Sequence, residues 1–233
     1  MTRLIGTTIV RADALTRPWR FRLEKMRLTR RYPQHPHLRD IMEAFERQYI
    51  TVEYGAHDRS LIERRQRDMT DKDEFVYGTT PWLSFAKVLE TLDIQSDDVF
   101  IEPGCGMGHL CFLVHQLYGI ECIGIEALAN FIQTGNTIKA ELPHLPAPQK
   151  LKLYNLDFFQ TDLSRGTLFY IAGTCFPLDY KDRLLKKVRK EAKSGSRIIT
   201  LTHPITQEGF TFSHEVKATF SWGRDRALIY TLD

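Results

Sequence analysis

The chain has 233 residues, 42% of them hydrophobic, and a net charge of +3, so it can bury a full core without staples and is neither acidic nor basic throughout. Its four cysteines, Cys105, Cys111, Cys122 and Cys175, show no C-x-x-C pairing and no zinc-like spacing with histidine, which predicts free thiols, no metal site and a reducing, cytoplasmic setting. Charges interrupt residues 1–17 too often for a signal peptide, and no run approaches the ~20 apolar residues of a membrane span, so a soluble protein with no membrane partner is expected.

The charge is unevenly spread. Residues 1–70 carry fifteen Lys/Arg against nine Asp/Glu, whereas residues 71–233 carry seventeen against twenty. Arg17, Arg20, Arg22, Lys25, Arg27, Arg30 and Arg31 crowd together with only Glu24 opposing, interleaved with Trp19, Phe21 and Tyr32. Residues 17–31 therefore suit a nucleic-acid backbone or an acidic protein face, or form a solvated arm that folds onto its own domain. YPQHPH (32–37) reads as a proline-broken linker. Leu38, Ile41, Met42, Phe45 and Tyr49 then recur at helical spacing, and a second helix is expected over Arg59–Met69. Residues 1–70 are thus predicted to be a small basic helical appendage, and residues 71–233 the main domain.

From Thr79 the pattern changes. TTPWLSFAKVLETLDI suggests a helix with Thr80 as N-cap, Pro81 at the first helical position, and Leu83, Ala86, Leu89 and Leu92 on one face. Strands and helices then alternate: strand Asp98–Glu102, helix Gly108–Tyr118, strand Glu121–Ile125, helix Leu128–Leu142, strands Leu151–Leu156 and Leu168–Ala172, helix Tyr180–Ala192 and strand Ser196–Thr202. HEVKATFSW and RALIYTL, separated by Gly223-Arg224-Asp225, read as an antiparallel hairpin. The fold class is therefore α/β: a Rossmann-like, seven-stranded, mostly parallel sheet with an antiparallel C-terminal hairpin.

The ends of the first three strands carry the chemistry. VFIEPGCGMGH places Glu102 before Gly104, Gly106 and Gly108, at the point where an open parallel sheet binds its ligand. The second strand ends in Glu126, suited to accept hydrogen bonds from both hydroxyls of a ribose. The third ends in YNLDFF, where Asp157 suits an adenine amine and Phe158 the purine face. Together these fit an adenosine. The loop is G-x-G-x-G rather than the dinucleotide G-x-G-x-x-G, and an acidic residue ahead of it repels a pyrophosphate but welcomes an ammonium, which favours S-adenosylmethionine over a nicotinamide cofactor. FYIAGTCFP after the fourth strand lacks the N-P-P-Y-like tetrad of enzymes that methylate base amines. Cys175 has no activating context for a nucleophilic thiolate, and a small buried hydrophobe is its simpler role.

VYGTTPWLSF, FIEPGCGMG, GIECIGIEAL, NLDFF, LFYIAGTCFPLDYKDRLLKKVRKEAKSGSRIITLTHP and FSWGRDRALIYTL resemble, in order and spacing, the non-SET histone lysine methyltransferases of the disruptor-of-telomeric-silencing family over roughly residues 75–233. The resemblance implies a class I methyltransferase fold that binds S-adenosylmethionine through Glu102, Gly104, Gly106, Glu126, Asp157 and Phe158. Gly108 completes the loop. It further implies that Tyr77 and Thr79 close over the methionine end, with Phe176 near the channel by which a lysine arrives. Tyr77 and Phe176 are thus the candidate catalytic lining and a protein the expected partner. Departures from the family pattern fall on Thr79, where the family has glutamate, and on Ala172 and Gly173, where it has two asparagines. Alternatives that keep the cofactor are an RNA or small-molecule methyltransferase, or a non-catalytic binding module.

Overall fold

The computed structural model describes Trp19 and residues 21–50, 63–67, 79–173, 176–220 and 223–233. Helices α1 (21–31), α2 (Leu38–Ile50) and α3 (63–66) come from the front of the chain. They precede α4 (Trp82–Leu89), β1 (Val99–Pro103), α5 (His109–Tyr118), β2 (Glu121–Glu126), α6 (Ala129–Ala140), β3 (Leu151–Asn155) and β4 (Leu168–Ile171). The chain continues with α7 (Leu178–Glu191), β5 (Arg197–Leu201), β6 (Phe210–Phe220) and β7 (Gly223–Leu232).

One seven-stranded sheet has the order β3-β2-β1-β4-β5-β7-β6. The first five strands are parallel, and β7 inserts antiparallel between β5 and β6. The order reverses between β1 and β4, so the C-terminal ends of these strands open the crevice where such sheets place a ligand. The expected alternation and hairpin are both present, with the parallel strands shifted by a residue and the hairpin strands starting four and three residues earlier than expected.

Two apolar layers cover the sheet. One contains Phe85, Phe100, Phe112 and Tyr170, and Leu28, Leu38, Met42 and Phe45 from the front helices belong to it as well. Phe45 makes edge-to-face contacts with Trp82 (5.4 Å) and Phe112 (5.1 Å). Full burial of each such side chain contributes about 2 to 3 kcal/mol. The second layer gathers Ile101, Phe158, Phe169, Leu184 and Ile198 on the opposite face. At the end of the sheet remote from the crevice, Asp98 accepts from Thr167 Oγ1 (2.5 Å) and the Gln95 N–H (2.7 Å) and pairs with Arg197. Burial pushes the Asp98 carboxyl up, but these partners outweigh it and hold it below its ordinary value.

Three local expectations are corrected. Thr80 does not cap α4: Pro81 occupies the N-cap position with no side-chain cap, because the buried Thr80 hydroxyl bonds to Tyr170 Oη (2.5 Å). The helix ends at Leu89, and Trp82, Phe85 and Val88 join its apolar face; Leu92 lies beyond the helix, packed against the same layer. Gly223-Arg224-Asp225 is not the hairpin turn, since these residues pair with Phe220, Thr219 and Ala218 as the start of β7.

The basic front folds in part onto its own domain. Lys25 pairs with Glu43 (3.1 Å) and Glu46 (3.0 Å), Arg31 pairs with Glu90 (2.5 Å), and Glu24 accepts the Leu83 N–H (2.9 Å). Arg17 and Arg20 lie outside the described residues. So do Tyr77, Gly78, Thr174 and Cys175.

Candidate functional site

The crevice is built on the loop between β1 and α5. Gly104, Gly106 and Gly108 have φ of +76°, +56° and +81°. A side chain at Gly108 would be strained there and its Cβ would meet Leu153 Cδ2 at 2.6 Å, so this turn into α5 requires glycine. The loop spends its donors internally. The N–H groups of Gly104 (2.8 Å) and Cys105 (3.2 Å) bond to the Ile125 carbonyl, that of Gly106 to Glu126 Oε2 (3.0 Å), and that of Gly108 to the Cys105 carbonyl (2.9 Å). With these four N–H groups occupied, the loop is poorly suited to cradle a pyrophosphate, which needs them free.

What the crevice offers is carboxylate. Glu102 is 5% exposed, and desolvation pushes its carboxyl up to about 8; a hydrogen bond from Cys111 Sγ (3.3 Å) opposes the rise and the nearby Glu126 adds to it. Glu126 is also buried and raised by desolvation, although the N–H groups of Gly106 and Leu128 (3.0 Å) bond to it. The thiols of Cys105, Cys111 and Cys122 are buried and pushed well above their ordinary value, so they are inert. Two desolvated carboxyl groups at the mouth of a crevice favour a ligand that brings a cation and hydroxyl donors.

Asn155 at the end of β3 braces this corner by donating to the carbonyls of Glu126 (2.9 Å) and Ala127 (3.0 Å). Asp157 is exposed, its Oδ1 accepting the Phe159 N–H (2.9 Å) and its Oδ2 without a partner among the described residues. Phe158 is buried and forms a wall with Phe159 (4.8 Å), Tyr180 (5.6 Å) and Phe176 (6.0 Å). Phe176 is carried from the β4–α7 connection to the glycine loop, where a Cβ on Gly104 would lie 3.4 Å from its ring. Thr79 is half-buried beside Thr80. The fold thus gathers Glu102, the three glycines, Glu126 and Phe176, with Asp157 and Phe158 at the adjoining strand end; Tyr77 falls outside the described residues.

Two contributors were not legible in the sequence. His109, the first residue of α5, is buried with Nε2 2.9 Å from the Thr80 carbonyl. Since a carbonyl only accepts, Nε2 carries the proton, and Nδ1 is a bare acceptor with no partner among the described residues. Burial lowers this ring to about 4, so it is neutral near pH 7. The other contributor is α3, whose Glu63 accepts the N–H groups of Ala129 (2.8 Å) and Asn130 (3.0 Å), while Arg67 donates to the Ala127 carbonyl (2.8 Å). These bonds cap α6, which has no side-chain cap of its own. A surface groove lined by His37, Arg47, Glu141 and His144 contains none of the strand-end residues.

A family model described as histone methylation protein DOT1 matches residues 64–224. A curated relative, the H3 lysine-79 specific histone-lysine N-methyltransferase of Dictyostelium discoideum, is 26% identical over 140 residues. That match takes in 56% of this chain but 7% of the relative's length. Among solved structures, an RNA methyltransferase from Salinibacter ruber in complex with S-adenosyl-L-homocysteine superposes with a TM-score of 0.56 at 17% identity, covering 66% of this chain and 93% of the other. A geranyl diphosphate C-methyltransferase from Streptomyces coelicolor, also complexed with S-adenosyl-L-homocysteine, gives 0.53 at 14%, covering 66% and 76%. At such identities these two likenesses establish the fold.

Proposed function

This chain belongs to the family of the histone methylation protein DOT1, and we propose that it transfers a methyl group from S-adenosylmethionine to a lysine side chain of a protein. The observation that supports the donor is the pairing of a loop whose Gly104, Cys105, Gly106 and Gly108 N–H groups are already bonded with two buried carboxyl groups. A sulfonium nucleoside suits that pairing and a dinucleotide does not. Glu126 would accept from the ribose hydroxyls and Glu102 would face the cationic methionine end. Family membership supports the acceptor.

When bound, S-adenosylmethionine supplies an activated methyl on a positive sulfur, which an in-line nucleophile displaces. The residues of this chain align and desolvate. A lysine must lose its proton before its nitrogen can attack, and an aromatic lining disfavours the charged amine. The rings of Phe176 and Tyr180, 5.2 Å apart, provide that lining. The corner after β4 is small: Ala172 and Gly173 present no amide side chain, and the Lys181 stem lies 3.5 Å from the Cβ position of Gly173.

Incubation with methyl-tritiated S-adenosylmethionine and purified core histones tests the reading. Label released by protease and recovered as methyllysine is expected, and none with Glu126→Ala. Ribonuclease-sensitive label with added RNA, or no transfer to protein, would overturn the lysine assignment.

A further inference from the structure

The seven cations of the front do not share one fate. Lys25 and Arg31 turn inward to Glu43, Glu46 and Glu90, whereas Arg22, Arg27 and Arg30 are exposed with no ion-pair partner among the described residues. At ~100° per residue, Trp19, Arg22, Leu23, Met26, Arg27 and Arg30 fall on one side of α1, opposite the fully buried Leu28. Trp19 is 68%, Leu23 43% and Met26 39% exposed. Glu24 to Leu83 and Arg31 to Glu90 are both contacts across 59 residues, so α1 runs parallel to α4 and turns this face away from it.

We propose that this outer face of α1 is a docking surface for an acidic protein surface with an apolar centre. The charge argument is direct: three guanidinium groups stand around the stripe, and the one acidic residue of the segment, Glu24, is turned inward onto the Leu83 N–H. Composition separates a protein from the other polyanions. Aromatic residues, Met and Arg are the side chains enriched in protein interfaces, where Lys, Glu and Asp are depleted. A nucleic-acid backbone would leave Leu23 and Met26 without contacts. A lipid surface would have to take up Arg30, one turn beyond Met26 on the same line, while the apolar residues themselves span only about 10 Å. The proposal does not depend on which acceptor the crevice methylates.

Fluorescence anisotropy at 150 mM salt, a condition of the assay (about one Debye length of 8 Å), tests it without any methyl transfer. The probes are a labelled amphipathic helical peptide of Glu and Leu, a Glu and Ser peptide of equal charge, a DNA duplex and phosphatidylserine vesicles. The Glu and Leu peptide is expected to bind most tightly. Its affinity should fall roughly tenfold or more in the triple variant Arg22→Glu, Arg27→Glu, Arg30→Glu and again in Leu23→Ser, Met26→Ser. Both variants should melt within about 2 °C of the parent, because only exposed side chains change. Absent peptide binding, tighter binding to DNA or vesicles, indifference to both variants, or a large drop in Tm in either would overturn the proposal.

Discussion

Replacing Glu102 by Gln tests the electrostatics of the crevice, because it keeps the shape and removes the titration. The carboxyl is pushed up to about 8 in the free protein, so at pH 7 about nine-tenths of the molecules carry it protonated. A bound cation favours the ionised form. Binding of S-adenosylmethionine at pH 7 should therefore release nearly one proton from this site, and affinity should rise almost tenfold between pH 6 and pH 7 and level off above pH 8. Glu126 titrates in both proteins and His109 stays neutral over this range, so the difference between parent and variant isolates Glu102. The same shift has a stability consequence of opposite sense. A carboxyl raised on folding stabilises below its unfolded value and loses that contribution as pH rises through its folded value. Glu102→Gln should accordingly gain stability over the parent between pH 5 and pH 8, reaching on the order of 4 kcal/mol without cofactor. At pH 8 it should bind cofactor 10- to 100-fold more weakly, for want of the charge-assisted contact. Calorimetry in buffers of different ionisation enthalpy, paired with urea denaturation, reads both. A ratio of parent to variant affinity that does not change from pH 6 to pH 8 would refute the argument.

Two further outcomes follow from single residues. Glu63→Ala removes the acceptor for two N–H groups at the start of α6 and should cost about 1 kcal/mol in urea denaturation; cofactor affinity by calorimetry should fall with it, and unchanged affinity would leave α3 no part in the crevice. Lys181 is 4% exposed, donates to the His203 carbonyl (3.2 Å), and burial lowers its amine to about 8. The unfolded chain binds this proton more tightly, so the parent should gain stability from pH 8 to pH 10 by about 2 kcal/mol relative to Lys181→Met. Parallel stability curves for the two proteins over that range would contradict this.

How far the sequence could be read depended on how local each determinant is. β1, β2, β4 and β5 are apolar runs bounded by turns, and the glycine loop follows Glu102 directly, so the fold and the class of methyl donor were both legible. Thr80 misled because its local pattern is that of a cap while its actual partner, Tyr170, lies 90 residues away. α1 was hidden by its composition: a segment so rich in arginine looks like a solvated arm until Lys25 and Glu24 are seen to have partners on α2 and α4. His109 and Glu63 escaped for a related reason. Their roles are set by backbone groups of other segments, the Thr80 carbonyl and the Ala129 and Asn130 N–H groups, and no side-chain pattern records those.

These long-range contacts also decide how the front of the chain relates to the crevice. Phe45 of α2 lies against Trp82 (5.4 Å) and His109 (6.3 Å), while His109 holds the Thr80 carbonyl and thereby the segment that leads from Thr79 into α4. On the other flank, α3 caps the helix that follows Glu126. Front-derived residues therefore brace the cradle on both flanks, beside the Thr80 carbonyl and beside the start of α6. The carboxylates and glycines set which donor can enter, whereas their geometry is set from outside the sheet. A partner that bears on α1 would then act on a layer already packed against the site: Glu24 ties α1 to the start of α4, only a turn from the Thr80 carbonyl.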